Sequence, residues 1–316
     1  MNICTGVASG GPGYPFPPRG REQWDAREAG VVMSLVYFSL WGFEGSLALA
    51  LDTAKRGGFD GLELNIRHPC LLADPDGPAR LRACGSPLVL EVVTGGGYVP
   101  ELGCTPGQHL TELGELLHGC LGLQPQRVTV LTGSDAWPLE RQRSFLAEAL
   151  VVAGASGLPV SFETHRSRCL GMPWTIAPLL DALPGLRLTA DLSHWCVVAE
   201  RLMTPELQPV QAMADRVDHI HARVGHAQGP QVSHPFAPEH GKALAAHLAC
   251  WQLFTERALG RGAPPPSFTP EFGPDGYMPT LPFTDRPVAD LLTINTAMAQ
   301  WLRRRFPAAV GDNMCS

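Results

Sequence analysis

Charge is scarce in this chain. Asp, Glu, Lys and Arg make up 17% of its 316 residues, against about 25% in an average globular protein. Basic residues are not in excess: 24 Lys and Arg face 30 Asp and Glu, a net charge of −6. A nucleic-acid binder normally carries a basic face, so that class is disfavoured. Nine cysteines are present, yet none forms a C-x-x-C pair. An odd count without such pairs indicates neither a disulfide framework nor a zinc ribbon, and a reducing compartment, the cytoplasm, is the expected setting. No apolar run approaches the ~18 residues of a membrane span. No hydrophobic segment opens the chain either; nine of its first 20 residues are Gly or Pro. That start reads as a loose arm over residues 1–30, not as a signal peptide.

What is present is alternation. Short runs rich in β-branched and apolar residues have the pattern of buried parallel strands. They are expected near Val32–Leu40, Gly61–Ile66, Leu88–Val93, Arg127–Leu131, Pro159–Glu163, Leu186–Asp191, Val217–Ala222 and Ser267–Glu271. Helical spacing falls between them, as over Thr105–Leu121, Leu139–Ala155, Pro205–Ala214 and Lys242–Leu259, and a last helix spans Val288–Arg305. Eight units over residues 31–305 average about 34 residues each, the arithmetic of a single-domain (β/α)8 TIM barrel. Residues 306–316 are left as a C-terminal tail. An open doubly wound sheet could alternate in the same way, but no G-x-G-x-x-G follows the first strand. Gly95–Gly97 reads as a tight turn rather than a phosphate cradle. Ala263–Pro266 reads as a stiff connection into the eighth strand.

In such a barrel, function sits at the C-terminal ends of the strands. Strand five ends at Glu163, strand six at Asp191, strand seven at His221 and strand eight at Glu271. The intervals of 28, 30 and 50 residues correspond to one unit each, the last with a long loop. Three carboxylates crowded at one mouth need a compensating cation. With one imidazole they make an oxygen-rich site for Mn²⁺, Mg²⁺ or Co²⁺, with Zn²⁺ also open. Any one of these residues alone is more often a satisfied polar group; four in register carry the argument. His219 shares a side of strand seven with His221, but sits one layer deeper, as a support for His221 or a hydrogen-bonded core histidine.

These residues resemble the xylose isomerase-like barrels grouped as sugar phosphate isomerases and epimerases. The resemblance covers residues 31–305 and is most specific in GFDGLEL, FETH, ADLSHW, HIHARVG and TPEFGP. It implies a Glu–Asp–His–Glu metal site at Glu163, Asp191, His221 and Glu271, with Mn²⁺ favoured. From the epimerase branch it implies acid and base roles for Glu163 and Glu271, and substrate contact through an Asp-x-x-His pair at Asp191 and His194. That branch also has an arginine beyond the strand-seven histidine; here Arg223 follows by only two residues. The implied partner is a small-molecule carbohydrate, with no nucleic acid or membrane, and members are often dimers or tetramers.

A metal that polarises a carbonyl lets a carboxylate take the neighbouring proton. A metal-dependent isomerase or epimerase of a sugar, keto-sugar or sugar phosphate, working through an enediolate, is therefore the leading expectation. A lyase expelling a β-leaving group from an oxidised sugar is the alternative. A non-catalytic carbohydrate-binding barrel ranks lower. A phosphodiesterase ranks lowest, because strands three and four end without histidine. His165, Arg166, His194 and Arg223 are candidate substrate donors; for Arg166 and Arg168 the competing role is a loop salt bridge. Trp41, Glu63, Asn65, Arg67, His68 and Glu91 end the early strands and are candidates for the opposite wall. The Gly-, Pro- and His-rich loop 224–240 is a candidate lid or second metal site.

Overall fold

Eight short strands pair in strict chain order, each parallel to the last. The computed structural model describes residues 34–274 and 276–306. The strands are β1 (Tyr37–Ser39), β2 (Gly61–Asn65), β3 (Leu88–Val93), β4 (Arg127–Leu131), β5 (Val160–Glu163), β6 (Leu188–Ala190), β7 (Val217–His221) and β8 (Ser267–Thr269). Val36, just before β1, bridges in parallel to Phe268, and the Phe268 amide donates to the Leu35 carbonyl at 2.8 Å, so the sheet closes on itself. The result is the (β/α)8 barrel expected from the unit arithmetic. The expected arm at 1–30, the first residues of the expected first strand and the tail beyond Phe306 lie outside the described residues.

The outer helices form where caps and apolar stripes meet. Helix α1 (Leu47–Gly57) starts at Ser46, whose hydroxyl accepts from the Leu49 amide, and stops at Gly58 in the left-handed conformation. Next come α2 (Pro69–Leu72), α3 (Gly77–Cys84) and α4 (Pro106–Cys120), the last opened by a Thr105–Gln108 capping box. Helix α5 (Leu139–Ser156) packs beside α4 and buries Phe145, Leu146 and Ala149. Then follow α6 (Ile176–Ala182), α7 (Leu192–Val198), α8 (Gln208–Met213), α9 (Gly241–Gly260) and α10 (Leu291–Arg305). Helix α10 is capped by Asp290 and ends in three arginines at the negative pole of its dipole. None of these helices is long and apolar enough to cross a membrane. All seven cysteines among the described residues are free.

Several strands are shorter than the sequence expectation, two of them for a clear local reason. The expected sixth strand, Leu186–Asp191, narrows to Leu188–Ala190, because Asp191 is the N-cap of α7 and its carboxylate accepts from the Ser193 amide at 2.9 Å. Strand β8 stops at Thr269, because Pro270 has no N–H to continue the ladder. The described part of the expected first strand is a ladder only over Tyr37–Ser39.

The barrel interior is partly polar. Thr189 contacts both Thr129 (3.0 Å) and Ser161 (2.6 Å) through its hydroxyl. His219 lies in the same interior, fully buried, with Nδ1 2.7 Å from the Ser267 hydroxyl. This bonded layer forms the floor beneath the C-terminal mouth.

Candidate metal centre

Glu163 is the last residue of β5 and His221 the last of β7; Asp191 follows β6 and Glu271 follows β8. All four are buried. His221 Nδ1 lies 3.2 Å from Glu271 Oε2 and 3.4 Å from Glu163 Oε1. Ligand atoms of Glu163, Asp191 and His221 lie within 4.8 Å of one another. Thus the fold brings together the four residues proposed from the strand ends.

These separations suit a shared ion. Bonds of about 2.1 Å put neighbouring ligand atoms about 3.0 Å apart in octahedral and about 3.4 Å apart in tetrahedral geometry. His221 Nδ1 is also buried without a hydrogen bond, a state that normally requires a ligand or ion. Its other nitrogen, Nε2, donates to Glu63 Oε1 at 3.1 Å. A carboxylate holding the far N–H of a histidine fixes the tautomer that leaves Nδ1 free to bind metal. By these tests the residues fit one divalent cation.

Glu63, expected on the substrate wall, stands behind His221 in this structure. Its second oxygen accepts from His219 Nε2 at 3.0 Å. Burial acts to raise the Glu63 pKa, but the two imidazoles override it and hold the carboxyl well below the usual range. His219 is accordingly the deeper, hydrogen-bonded histidine expected from the alternation of β7.

Arg223 fills the next position. Its guanidinium donates to Asp191 Oδ2 and lies 3.4 Å from Glu271 Oε2. It also donates to His194 Nε2 at 2.9 Å and to the Ser193 hydroxyl at 3.0 Å. Burial opposes its charge, but Asp191 and Glu271 outweigh that and raise its pKa. The Ser193 hydroxyl in turn donates to Asp191 Oδ1 at 2.5 Å.

The acids of the mouth differ in charge state. Burial pushes Glu163 up to about 7, with His221 opposing and Glu271 and Asp191 adding to the rise. Glu91, buried on β3, is pushed up to about 8 by burial and then by Glu271 and Glu163, although Asn65 donates to it at 3.0 Å. His221 goes the other way. Burial disfavours its charged ring, but Glu271, Glu63 and Glu163 raise its pKa well above the usual value.

Histidines and aromatics line the rim. The His165 and His194 rings stand 3.9 Å apart, and burial drives His165 down to about 3 and His194 well below its ordinary value. Trp41 packs edge-on to Tyr277 at 4.9 Å, and the Arg223 guanidinium lies over both rings. Gly273 makes room for Trp41: a Cβ there would fall 2.0 Å from the indole. Arg166 lies 5.1 Å from the Tyr277 ring centroid. Tyr277 escaped the sequence reading. Its signal was an aromatic residue six positions beyond Glu271, in a loop with no periodicity to mark it.

Other candidates stand apart. Arg67 pairs at the surface with Glu112 at 2.9 Å, and His68 caps α2 by accepting from the Cys70 amide. Arg168 forms no salt bridge among the described residues. It is buried, donating to the carbonyls of Thr94 (2.7 Å), Tyr98 (3.2 Å), Gly133 (3.3 Å) and Gly97. Burial lowers its pKa to about 10. The Gly95–Gly97 run is thus a turn fastened by a buried arginine. Loop 224–240 packs against the segment after β8, where the Gln231 amide exchanges two hydrogen bonds with the Gly273 backbone (2.9 and 3.2 Å). Its His226 and His240 rings stack at 6.4 Å and belong to none of the ligand clusters among the described residues.

Comparison with solved structures finds the same barrel fold in several enzymes. The probable 3-DHS dehydratase AsbF of petrobactin synthesis from Bacillus anthracis superposes with a TM-score of 0.57 at 13% identity, over 85% of this chain and 98% of its own. The D-allulose 3-epimerase of Methylomonas sp. gives 0.57 at 13% identity, over 88% and 99%. The IOLI protein, solved with a zinc atom, gives 0.57 at 13% identity, over 90% and 100%. No family model matches the chain, and no curated protein sequence matches it.

Proposed function

We propose that the chain is a metal-dependent isomerase or epimerase of a sugar or keto-sugar. The observation that carries this is the unbonded Nδ1 of buried His221, set 3.2 and 3.4 Å from the oxygens of Glu271 and Glu163 and held from behind by Glu63. Glu163, Asp191, His221 and Glu271 would hold the ion, and the zinc in the IOLI structure supports a divalent metal on this fold. When bound, the ion polarises the substrate carbonyl and so acidifies the adjacent C–H.

The rest is assigned to side chains. Glu163, a carboxylate when the ion is bound, would take the proton beside the carbonyl. Glu271, on the neighbouring side of His221, would return a proton to the other face or to the adjacent carbon. His194 accepts from Arg223 at Nε2, so its proton sits on Nδ1, which is buried without a partner and free to donate to a substrate hydroxyl. Trp41 and Tyr277, stacked with Arg223, would wall the site beside the substrate.

One observation favours the lyase reading. Glu91, pushed up to about 8, is a neutral acid at physiological pH and could protonate a departing hydroxyl. A dehydratase among the structural neighbours supports the same reading.

Elemental analysis of the purified protein, followed by incubation with keto-sugars, tests the proposal. One equivalent of a divalent metal and conversion without new ultraviolet absorption are expected. A growing conjugated-enone band would identify the lyase. A metal-free protein whose melting temperature ignores chelators would refute the site.

A further inference from the structure

Resting on that reading, we propose that Arg166 receives an anionic substituent of the substrate, a carboxylate or a phosphate, held beyond the reacting carbons. The first ground is charge. Arg223 is bound to Asp191 and Glu271, and Arg168 is spent on backbone carbonyls. Arg166 is committed to neither kind of partner. It lies against Tyr277, whose hydroxyl bonds with it, and it pairs with no carboxylate among the described residues.

The second ground is that the loop is built to keep it there. Ser167, the next residue, has φ +67°, a left-handed conformation that a residue with a Cβ avoids unless its surroundings impose it. The surroundings do impose it. Arg168 is tied to four carbonyls of the loops after β3 and β4. The Arg168 amide donates to the His165 carbonyl at 3.2 Å, and the Gly171 amide to the Arg168 carbonyl at 2.9 Å. A Cβ on Gly171 would fall 3.0 Å from the Arg166 Cα, so the turn closes only on glycine. A guanidinium so held matches an oxyanion better than a mobile lysine would. The His165 Nδ1–H donates to the Arg166 carbonyl at 2.5 Å, a further tie on the same turn.

Titration calorimetry on manganese-loaded protein tests this with three probes: neutral ribulose, ribulose 5-phosphate and 2-keto-gluconate. At least one of the two anions should bind ten or more times tighter than ribulose, and the tighter one tells phosphate from carboxylate. Arg166→Met should reduce that preference to within twofold while leaving manganese uptake unchanged, and Arg166→Lys should keep part of it. Equal binding of ribulose and both anions, no binding of either anion, or a preference that survives Arg166→Met would overturn the proposal. Normal manganese uptake with no anion preference defeats this inference alone. Failure of the wild type to take up manganese defeats the metal reading on which this inference rests. If Arg166→Met does not fold, Arg166→Lys decides, because an unchanged preference in a variant without the planar fork also counts against it.

Discussion

Glu63 lies behind the centre and touches no substrate on the proposed reading, so replacing it tests the support of the metal ligand alone. In Glu63→Gln the shape is kept but one acceptor oxygen becomes an N–H donor. The carboxylate serves two imidazoles, His219 Nε2 at 3.0 Å and His221 Nε2 at 3.1 Å. A glutamine can accept from only one of them. If its oxygen stays with His219, its amide faces His221 Nε2, and the proton of His221 moves to Nδ1, the nitrogen needed by the metal. If it turns round, His221 keeps its tautomer but His219 loses its acceptor inside the barrel. Loss of such a support typically weakens metal binding 10- to 100-fold, about 1.4 to 2.8 kcal/mol. The assay is a manganese titration of apo-protein followed by the electron paramagnetic resonance of free Mn²⁺, with circular dichroism to verify the fold. A folded Glu63→Gln with both manganese affinity within twofold of wild type and an unchanged melting temperature would refute the tautomer argument and His221 as a ligand through Nδ1, because one of the two imidazoles must lose its acceptor.

Three further outcomes are expected. Glu163→Gln and Glu271→Gln should each lower turnover at least about 100-fold with little change in far-ultraviolet circular dichroism; turnover within a few-fold of wild type would remove that residue from proton transfer. Manganese affinity should climb with pH, because the carboxylates keep His221 protonated well above the usual range and the ion must displace that proton from Nδ1. Calorimetry in two buffers of different ionisation enthalpy should register about one proton released per ion, and a pH-independent affinity would contradict it. Arg168→Met strips four loop carbonyls of their donor; the loss should be at least about 3 kcal/mol, read as a fall of about 5 °C in melting temperature, and an unchanged melting temperature would show that water replaces the guanidinium.

The barrel was legible because its signal is repeated: strands of similar composition return every 30 or so residues, and errors at single ends do not alter the count. The same repetition exposed the centre, since Glu163, Asp191, His221 and Glu271 each stand at an equivalent position of consecutive units. The supports of that centre were not legible in the same way. Glu63 meets His219 and His221 across 156 and 158 residues of sequence, a contact created by barrel closure and by no local pattern. Arg168 was ambiguous between salt bridge and substrate donor because its true partners are backbone carbonyls up to 74 residues away, and carbonyls have no sequence signature. Asp191 read as a strand end because it closes the apolar run that begins at Leu186, whereas its additional work as the cap of α7 appears only when the Ser193 amide is seen to donate to it.

The two glutamates of the centre are unequal, and Arg223 is what separates them. Its guanidinium lies 3.4 Å from Glu271 Oε2 and makes no comparable approach to Glu163. Glu271 therefore has a fixed cation beside it whatever the state of the metal. Glu163 has for near neighbours the His221 ring at 3.4 Å, the uncharged His194 ring at 3.8 Å and two other acids that push its carboxyl up. The short spacing of Arg223 from His221 has a consequence for the chemistry. With the arginine two residues on, on the same side of the extended chain as the histidine, it reaches back onto the ligands themselves. On the proposed reading, recognition of a charged substrate group would then fall to another cation at the rim, the position Arg166 occupies.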